Sequence, residues 1–238
     1  MLMPPVQTFD NAAAWADACA SRLTEALADA LAADGKAVFA GSGGSTPAPI
    51  YRRMAAAGGL DWARVAVTLI DERYVPESSP DSNAALLKRT LLTDDAAAAR
   101  FVPLYYPSVT VDRAAAVAAH ALAAEGGHLD AVLLGMGEDG HICSMFPHSP
   151  TLKTLLTPTL SPTVLGVPPG RDGAAPSLER LSINLPYLMQ ARRVVLALTG
   201  AAKRAVFERE AAGDPATQPI AALLAHNVPL EVIWTEAA

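Results

Sequence analysis

Residue types used in acid–base and phosphate chemistry recur in four short segments of this chain. A glycine- and serine-rich segment occupies residues 41–47, and a segment of mixed charge follows at 71–75. A glycine-rich segment at 135–141 ends in a histidine, and the segment 199–203 ends in a lysine. Each segment directly follows an apolar run typical of a buried strand. Because loops at the carboxyl ends of parallel strands converge, the four segments predict one shared ligand site.

The 41–47 segment has the composition of an anion-binding loop. Its glycines let backbone N–H groups approach a ligand, and its hydroxyl groups add further donors. We expect Thr46 to be the N-cap of a helix that starts with Pro47, so that the positive end of the helix holds a phosphate. An ordinary Gly/Ser turn is the alternative, because the lysine and the spacing of a Walker loop are absent. The residues of the predicted phosphate loop are Ser42, Gly43, Gly44, Ser45 and Thr46.

The 135–141 segment matches the pattern GxGxxG, but its other residues argue against a dinucleotide site. Glu138 and Asp139 lie inside the loop, where they would repel a pyrophosphate, and no further acid occurs before Asp172. The loop is better interpreted as a rigid support for His141. Asp139 is close enough in sequence to orient or charge the imidazole of that histidine.

The other histidines and the two cysteines do not indicate a metal site or a thiol enzyme. His141 and His148 have no zinc-site spacing with other ligand types, so we predict no metal. Cys19 falls on the apolar stripe of a helix and is expected to be buried. Cys143 is near enough to His141 to act as a nucleophile, although its apolar neighbours favour a packed side chain.

Strand and helix patterns alternate along the chain and would position these residues. Large apolar residues recur at every fourth position in 11–33, which predicts a long amphipathic helix. Together the patterns predict an α/β fold that is Rossmann-like and doubly wound, with a mainly parallel sheet and helices on both of its faces. We expect residues 1–238 to form a single domain. The proline-rich stretch 157–176 is expected to be a long loop. The other predicted helices are 47–57, 82–92, 111–125, 200–212 and 219–225, and the predicted strands are 37–40, 64–70, 130–134, 180–184, 193–198 and 230–234.

Composition limits the partners of the chain. The hydrophobic fraction of 51% against 18% charged residues indicates a large apolar interior. With 18 Lys+Arg and 24 Asp+Glu, the formal charge of −6 argues against a nucleic-acid groove. No apolar run has the length of a membrane span, and residues 1–6 lack a secretion pattern, so we expect a cytoplasmic protein with no membrane partner. The sequence gives no indication of oligomeric state.

In combination, these segments resemble the glucosamine/galactosamine-6-phosphate isomerase superfamily, and most closely its 6-phosphogluconolactonase family. The pattern of that family has Thr-Ala after the histidine, where Ile142 and Cys143 stand here. The matching residues run in order through most of the chain and are 42–47, 71–75, 82–83, 134–141, 146–147, 180–182, 200–203 and Trp234.

The resemblance implies a carboxylic-ester hydrolase that converts 6-phospho-D-glucono-1,5-lactone to 6-phospho-D-gluconate in the oxidative pentose phosphate pathway, without a cofactor. His141 can accept a proton from water near neutral pH and return it to the leaving alkoxide, with Asp139 beside it. Arg73 is the candidate for stabilising the tetrahedral intermediate, although it could instead bind phosphate or pair with Asp71. The expected substrate- and phosphate-binding residues are the 42–46 loop with Asp71, Arg180 and Lys203.

Two other functions fit part of the sequence. Glucosamine-6-phosphate deaminases share the Asp-Gly-His element, but they have a tyrosine at the position of Arg73 and a glutamate five positions after the histidine that joins their proton relay. Phe146 stands at that second position here and cannot carry a proton. A non-catalytic sugar-phosphate sensor would need an output module, and no segment of that size is visible.

Overall fold

Ten strands form two sheets in a computed structural model that describes residues 3–171 and 174–237. Seven of them form a sheet in the order β1-β10-β9-β6-β2-β3-β5, in which all neighbours are parallel. The other three form a small antiparallel sheet in the order β4-β8-β7. The strands are β1 (Val6–Phe9), β2 (Ala37–Gly41), β3 (Val65–Leu69), β4 (Asp71–Arg73), β5 (Arg100–Phe101), β6 (Ala131–Leu134), β7 (Val164–Val167), β8 (Arg180–Ile183), β9 (Arg193–Thr199) and β10 (Leu230–Thr235).

The helices lie between the strands as the sequence predicts, and the α/β, mainly parallel fold is confirmed. Local signals define the longest helix: the Asn11 side chain accepts the N–H of Ala14 at its start, and Gly35 ends it with a φ of +71°. The helices are α1 (Ala12–Asp34), α2 (Ala48–Ala56), α3 (Asn83–Thr90), α4 (Val111–Ala124), α5 (Leu152–Leu155), α6 (Leu185–Met189), α7 (Ala201–Ala211) and α8 (Pro219–Ala225), with short 3₁₀ helices at Trp62–Arg64 and Asp94–Ala98.

The strand order reverses direction between β2 and β6. From β2 the chain moves outward to β3 and β5, and it then returns to build β6, β9 and β10 on the other side. The loops that leave the carboxyl ends of β2 and β6 therefore diverge and open a crevice between them. Such a reversal is where open α/β sheets bind their ligands.

The small sheet corrects the prediction that 180–184 is a strand of the parallel sheet. β8 instead pairs antiparallel with β4 and β7, and this pairing sets Arg73 directly opposite Arg180. Its residues alternate between polar Arg180 and Ser182 and apolar Leu181 and Ile183, a pattern more typical of an antiparallel strand than of a buried parallel one.

Two further expectations about connecting segments are wrong. The 157–176 stretch is not all loop, because β7 lies inside it; Asp172 and Gly173 of that stretch lie outside the described residues. Residues 71–73 form β4 rather than a loop, since Ile70 leads the chain directly from one sheet into the other. The N–H of Ile70 donates to the carbonyl of Gly41 at 2.9 Å, which fixes this corner. The sequence patterns also missed the edge strands β1 and β5.

Glu72 is a buried carboxylate that joins β4 to the start of α3. It accepts the backbone N–H groups of Arg73, Asn83 and Ala84, each at 2.8 Å, and the hydroxyl of Ser82 at 3.2 Å. Burial raises the pKa of Glu72, while the three backbone donors act in the opposite direction. One side chain thus fixes the backbone on both sides of Arg73 and Asn83.

Replacing Glu72 tests this joint. Glu72→Gln places an amide NH₂ group against backbone donors, so we expect the free energy of unfolding to fall by about 1–3 kcal/mol in urea denaturation. The matched control is Glu77→Gln, because Glu77 is an exposed carboxylate that pairs with the partly exposed Lys88. That change should cost at most about 0.5 kcal/mol. Equal losses in the two variants would contradict the role of Glu72.

Candidate active site

An open cleft of about 220 Å³ lies at the carboxyl edge of the large sheet, where β2 and β6 diverge. All four segments predicted to converge contribute to its lining. Every predicted site residue lines the cleft except Asp139. Asn83, Met136 and Cys143 also line it, although the sequence did not single them out as site residues.

The 42–46 loop is held by contacts that leave its backbone against the cleft. The hydroxyl of Tyr51 donates to the Ser42 carbonyl at 2.6 Å. At Gly43, a Cβ atom would lie 1.8 Å from the Asn83 side-chain oxygen, so only glycine allows this approach. The hydroxyl oxygen of Ser42 is buried without a hydrogen-bond partner in the described residues. The loop therefore offers polar groups that its own fold does not use.

The helix after this loop does not begin as predicted. Its N-cap is Pro47 rather than Thr46, and no side chain caps it. Since Pro47 and Pro49 both lack an N–H group, the first turn of α2 has fewer free donors than the phosphate prediction assumed. Any anion at this edge must rely more on the 42–46 loop than on the helix end.

His141 and Asp139 form a hydrogen-bonded pair. The Nδ1 atom of His141 lies 2.5 Å from Oδ1 of Asp139. Burial alone would raise the pKa of Asp139, but the hydrogen bond and charge of His141 lower it below its usual value. An ionised carboxylate can only accept, so Nδ1 is the donor and Nε2 is left as the proton acceptor.

Glycine at position 137 makes room for this pair. A Cβ atom there would lie 2.3 Å from Nδ1 of His141 and 2.5 Å from Oδ1 of Asp139. The N–H of Gly137 also donates to the His141 carbonyl at 2.9 Å. Gly137, one of the glycines that mimic a dinucleotide fingerprint, therefore makes room for the histidine. Asp139 lies behind His141, outside the lining of the cleft.

Arg73 and Arg180 bring two like charges together. They are directly opposite on β4 and β8, where like charges repel, and the Nε atom of each is buried without a partner in the described ranges. Burial lowers the pKa of Arg180; Asp71, whose Oδ2 lies 3.7 Å from its Nη1, opposes that shift, and Arg73 adds to it. Lys203, in the first turn of α7, also lines the cleft. Among the residues that line the cleft, three cations thus accompany one carboxylate, an arrangement that favours an anionic ligand.

Asp71 also couples the histidine segment to the small sheet. Its Oδ2 atom accepts the hydroxyl of Ser144 at 2.7 Å, and the N–H of Ser144 donates to Ser182 Oγ at 3.2 Å. The sequence gave no signal for Ser144, because a single serine in an apolar stretch is unremarkable. Its position links the segment after His141 to the strand that carries Arg180.

The two cysteines are both buried. Cys19 lies in the core, as predicted, and burial raises its pKa to about 12. Cys143 lines the cleft, but burial and the neighbouring charge of Asp71 raise its pKa well above the ordinary thiol value. A protonated thiol is a poor nucleophile, which favours the packed interpretation of Cys143.

One group of ligand-type side chains lies away from the cleft, at the amino edge of the sheet. Atoms of Asp34, His128 and Asp130 lie within 4.8 Å of one another. Arg192 pairs with both carboxylates, its Nε lying 2.8 Å from Asp130 Oδ1, so a guanidinium already offsets part of their negative charge. None of these residues lines the cleft.

Over 3–171 and 174–237, no helix is both long enough and apolar enough to cross a membrane.

Comparisons with known proteins agree with this geometry. The family model described as Glucosamine-6-phosphate isomerases/6-phosphogluconolactonase matches residues 10–234. A 6-phosphogluconolactonase of Rhizobium meliloti (strain 1021) is 42% identical over 228 residues, covering 95% of this chain and 96% of the relative. One of Caulobacter vibrioides is 42% identical over 221 residues, covering 92% of each. The crystal structure of a 6-phosphogluconolactonase from Shewanella baltica OS155 gives a TM-score of 0.89 at 31% identity and covers 98% of both chains. The chain therefore belongs to the glucosamine-6-phosphate isomerase/6-phosphogluconolactonase family.

Proposed function

We propose that this protein hydrolyses 6-phospho-D-glucono-1,5-lactone to 6-phospho-D-gluconate, a step of the oxidative pentose phosphate pathway. One observation carries the proposal. A histidine that is paired with a carboxylate lies in the same cleft as three cations, and Asp71 is the one carboxylate among the described residues that line this cleft. The first feature suits the activation of water, and the second suits a phosphorylated substrate. The names of the similar proteins support the same reaction.

The phosphate is proposed to bind between the 42–46 loop and two cations, Arg180 and Lys203. The loop supplies backbone N–H groups and hydroxyls, and the cations supply charge-assisted hydrogen bonds. Asp71 serves this subsite by holding Arg180, since a carboxylate would itself repel a phosphate. Neither Arg180 nor Lys203 needs to move far, because both side chains already line the cleft.

The chemical step is proposed to begin when His141 takes a proton from water at Nε2. The resulting hydroxide adds to C1 of the lactone, and the carbonyl oxygen becomes an oxyanion. Collapse of this intermediate breaks the bond between C1 and the ring oxygen, and the proton on Nε2 passes to that oxygen as it leaves. Water is consumed, a carboxylic acid and a hydroxyl are formed, and no metal or organic cofactor is needed.

Asp139 and Arg73 have supporting roles in this proposal. Asp139 keeps the proton on Nδ1 and stabilises the imidazolium that forms when Nε2 is protonated. Arg73 is the candidate for stabilising the oxyanion, since its Nε lacks a protein partner in the described chain and it lines the cleft beside His141. The backbone hydrogen bonds that Glu72 accepts hold the strand that presents Arg73.

A deaminase activity is less well supported by the environment of Phe146. This residue occupies the position of the relay glutamate in deaminases, it is buried, and its ring lies against His141. An aromatic ring cannot carry a proton there. The reaction class can be tested directly with freshly generated lactone and with glucosamine 6-phosphate in parallel assays.

We expect lactone hydrolysis well above the spontaneous rate and no release of ammonia from glucosamine 6-phosphate. Release of ammonia would favour the deaminase. Tight binding of 6-phospho-D-gluconate without turnover of either compound would favour a sensor. Either result would overturn the proposed function.

His141→Ala tests the proposed base. We expect kcat for the lactone to fall by roughly 10²- to 10⁴-fold, because water loses its proton acceptor, while affinity for 6-phospho-D-gluconate changes little. The control is His120→Ala, which removes an exposed imidazole on α4 and should leave turnover unchanged. Near-normal turnover in His141→Ala, after subtraction of the spontaneous rate, would refute the assignment.

Arg180→Met and Lys203→Met test the proposed phosphate subsite. Each variant should raise KM by roughly tenfold or more, because a charge-assisted hydrogen bond is worth about 1.5–3 kcal/mol, with a smaller effect on kcat. Lys36→Met is the matched control, since Lys36 is exposed and does not line the cleft. Unchanged KM in both cleft variants would show that the phosphate binds elsewhere.

A further inference from the structure

Phe146 is a buried aromatic residue whose ring lies near two polar side chains of the cleft. Its side chain is 3% exposed, yet it does not belong to the contiguous hydrophobic core that contains most other buried apolar residues. The neighbouring Met145 does belong to that core. Phe146 is therefore buried outside the main hydrophobic core, where most buried apolar side chains pack.

The ring of Phe146 lies near one residue from each functional half of the cleft. Its centroid is 4.1 Å from that of the His141 imidazole, with 30° between the ring planes. The guanidinium carbon of Arg180 lies 5.5 Å from the same centroid. His141 and Arg180 line the cleft, whereas Phe146 does not. The phenyl ring is thus behind the reacting groups, in contact with both.

The backbone leading to Phe146 is held firmly. Cys143 adopts a left-handed conformation with a φ of +52°, and the N–H of Met145 closes a turn onto the Ile142 carbonyl at 2.9 Å. Ser144 ties this turn to Asp71 through the 2.7 Å hydrogen bond. The turn fixes the distance between His141 and Phe146, so the stacking of the rings is built into the fold.

We propose that Phe146 is a positioning residue that holds the plane of the His141 imidazole and stabilises its protonated form. The inference rests on the proposed function, in which that imidazolium forms during turnover. Asp139 restrains the imidazole at one atom, through the hydrogen bond to Nδ1. The ring of Phe146 lies against the imidazole and limits how far its plane can rotate about that hydrogen bond. The aromatic face of Phe146 attracts the positively charged imidazolium more strongly than it attracts the neutral imidazole. The stabilisation therefore increases as the proton is transferred, which lowers the barrier without tightening substrate binding.

The contact with Arg180 is expected to matter less. Its distance to the ring is near the limit for a cation–π contact, and Arg180 keeps Asp71 as a partner without Phe146. Removal of the phenyl ring should therefore affect kcat much more than KM. A residue that merely filled space beside the whole site would alter both.

The test compares Phe146→Leu and Phe146→Tyr with the wild-type protein. Leucine keeps an apolar side chain but removes the aromatic face, and we expect kcat for the lactone to fall by roughly three- to tenfold with KM within about twofold. Tyrosine keeps the face and should restore most of kcat. The matched control is Phe101→Leu, which removes a cation–π contact with Lys88 far from the cleft and should leave both constants unchanged.

A second readout needs no substrate. NMR resonances of the His141 ring, assigned by their loss in His141→Ala, should be shifted upfield in the wild-type protein by the ring current of Phe146. They should move downfield in Phe146→Leu and stay near the wild-type position in Phe146→Tyr. Absence of the upfield shift in the wild-type protein would overturn the stacking even if no variant could be purified.

The two readouts separate the proposals. If the wild-type protein does not hydrolyse the lactone, the proposed function fails, and the NMR shifts still report whether Phe146 positions the imidazole. If the lactone is hydrolysed but Phe146→Leu keeps full kcat, or loses kcat and KM equally with no rescue by tyrosine, the inference about Phe146 is wrong.

Discussion

The site depends on holding Arg73 and Arg180 side by side despite their mutual repulsion. Direct cross-strand pairing of like charges destabilises a sheet, so the surrounding fold must compensate for it. Asp71 lies 3.7 Å from Arg180 and offsets part of the repulsion by its negative charge. Glu72 accepts the backbone N–H of Arg73 and so holds the backbone of β4 in place. Neither acid neutralises both guanidinium groups. The remaining positive charge is what makes the cleft suited to a phosphorylated substrate.

The topology explains how this charge comes to lie beside a histidine. β4 continues almost directly from β3 through Ile70, so Arg73 emerges at the carboxyl edge of the large sheet. The His141 segment follows β6, on the other side of the strand reversal. Ser144 joins the two sides by donating to Asp71. The proposed binding groups and the proposed proton acceptor thus belong to separate parts of the chain, which this buried hydrogen bond connects.

The convergence of the site could be predicted from sequence, whereas its internal contacts could not. Parallel strands bring their carboxyl ends to one edge, so polar segments after apolar runs had to meet. The pairing of β8 with β4 joins strands more than a hundred residues apart, and short strands carry too little periodicity to reveal such partners. The N-cap at Thr46 was misplaced by one residue because Pro47 and Pro49 are both compatible with a first helical turn. Phe146 gave no signal as a partner of Arg180, since only the folded chain brings them together.

An overall charge of −6 and a cationic cleft are compatible because exposed charges are strongly screened, whereas partly buried charges in a cleft are screened less. The same field creates a conflict for the proposed chemistry. Cations that attract a phosphate also oppose the formation of an imidazolium at His141, which lines the same cleft. In the proposed mechanism, the groups that offset this opposition are Asp139, which contacts Nδ1 of the imidazole, and the aromatic ring of Phe146, which lies against the imidazole. In the proposed mechanism, the acid and the ring therefore allow one cleft to bind an anion and still use a histidine as its base.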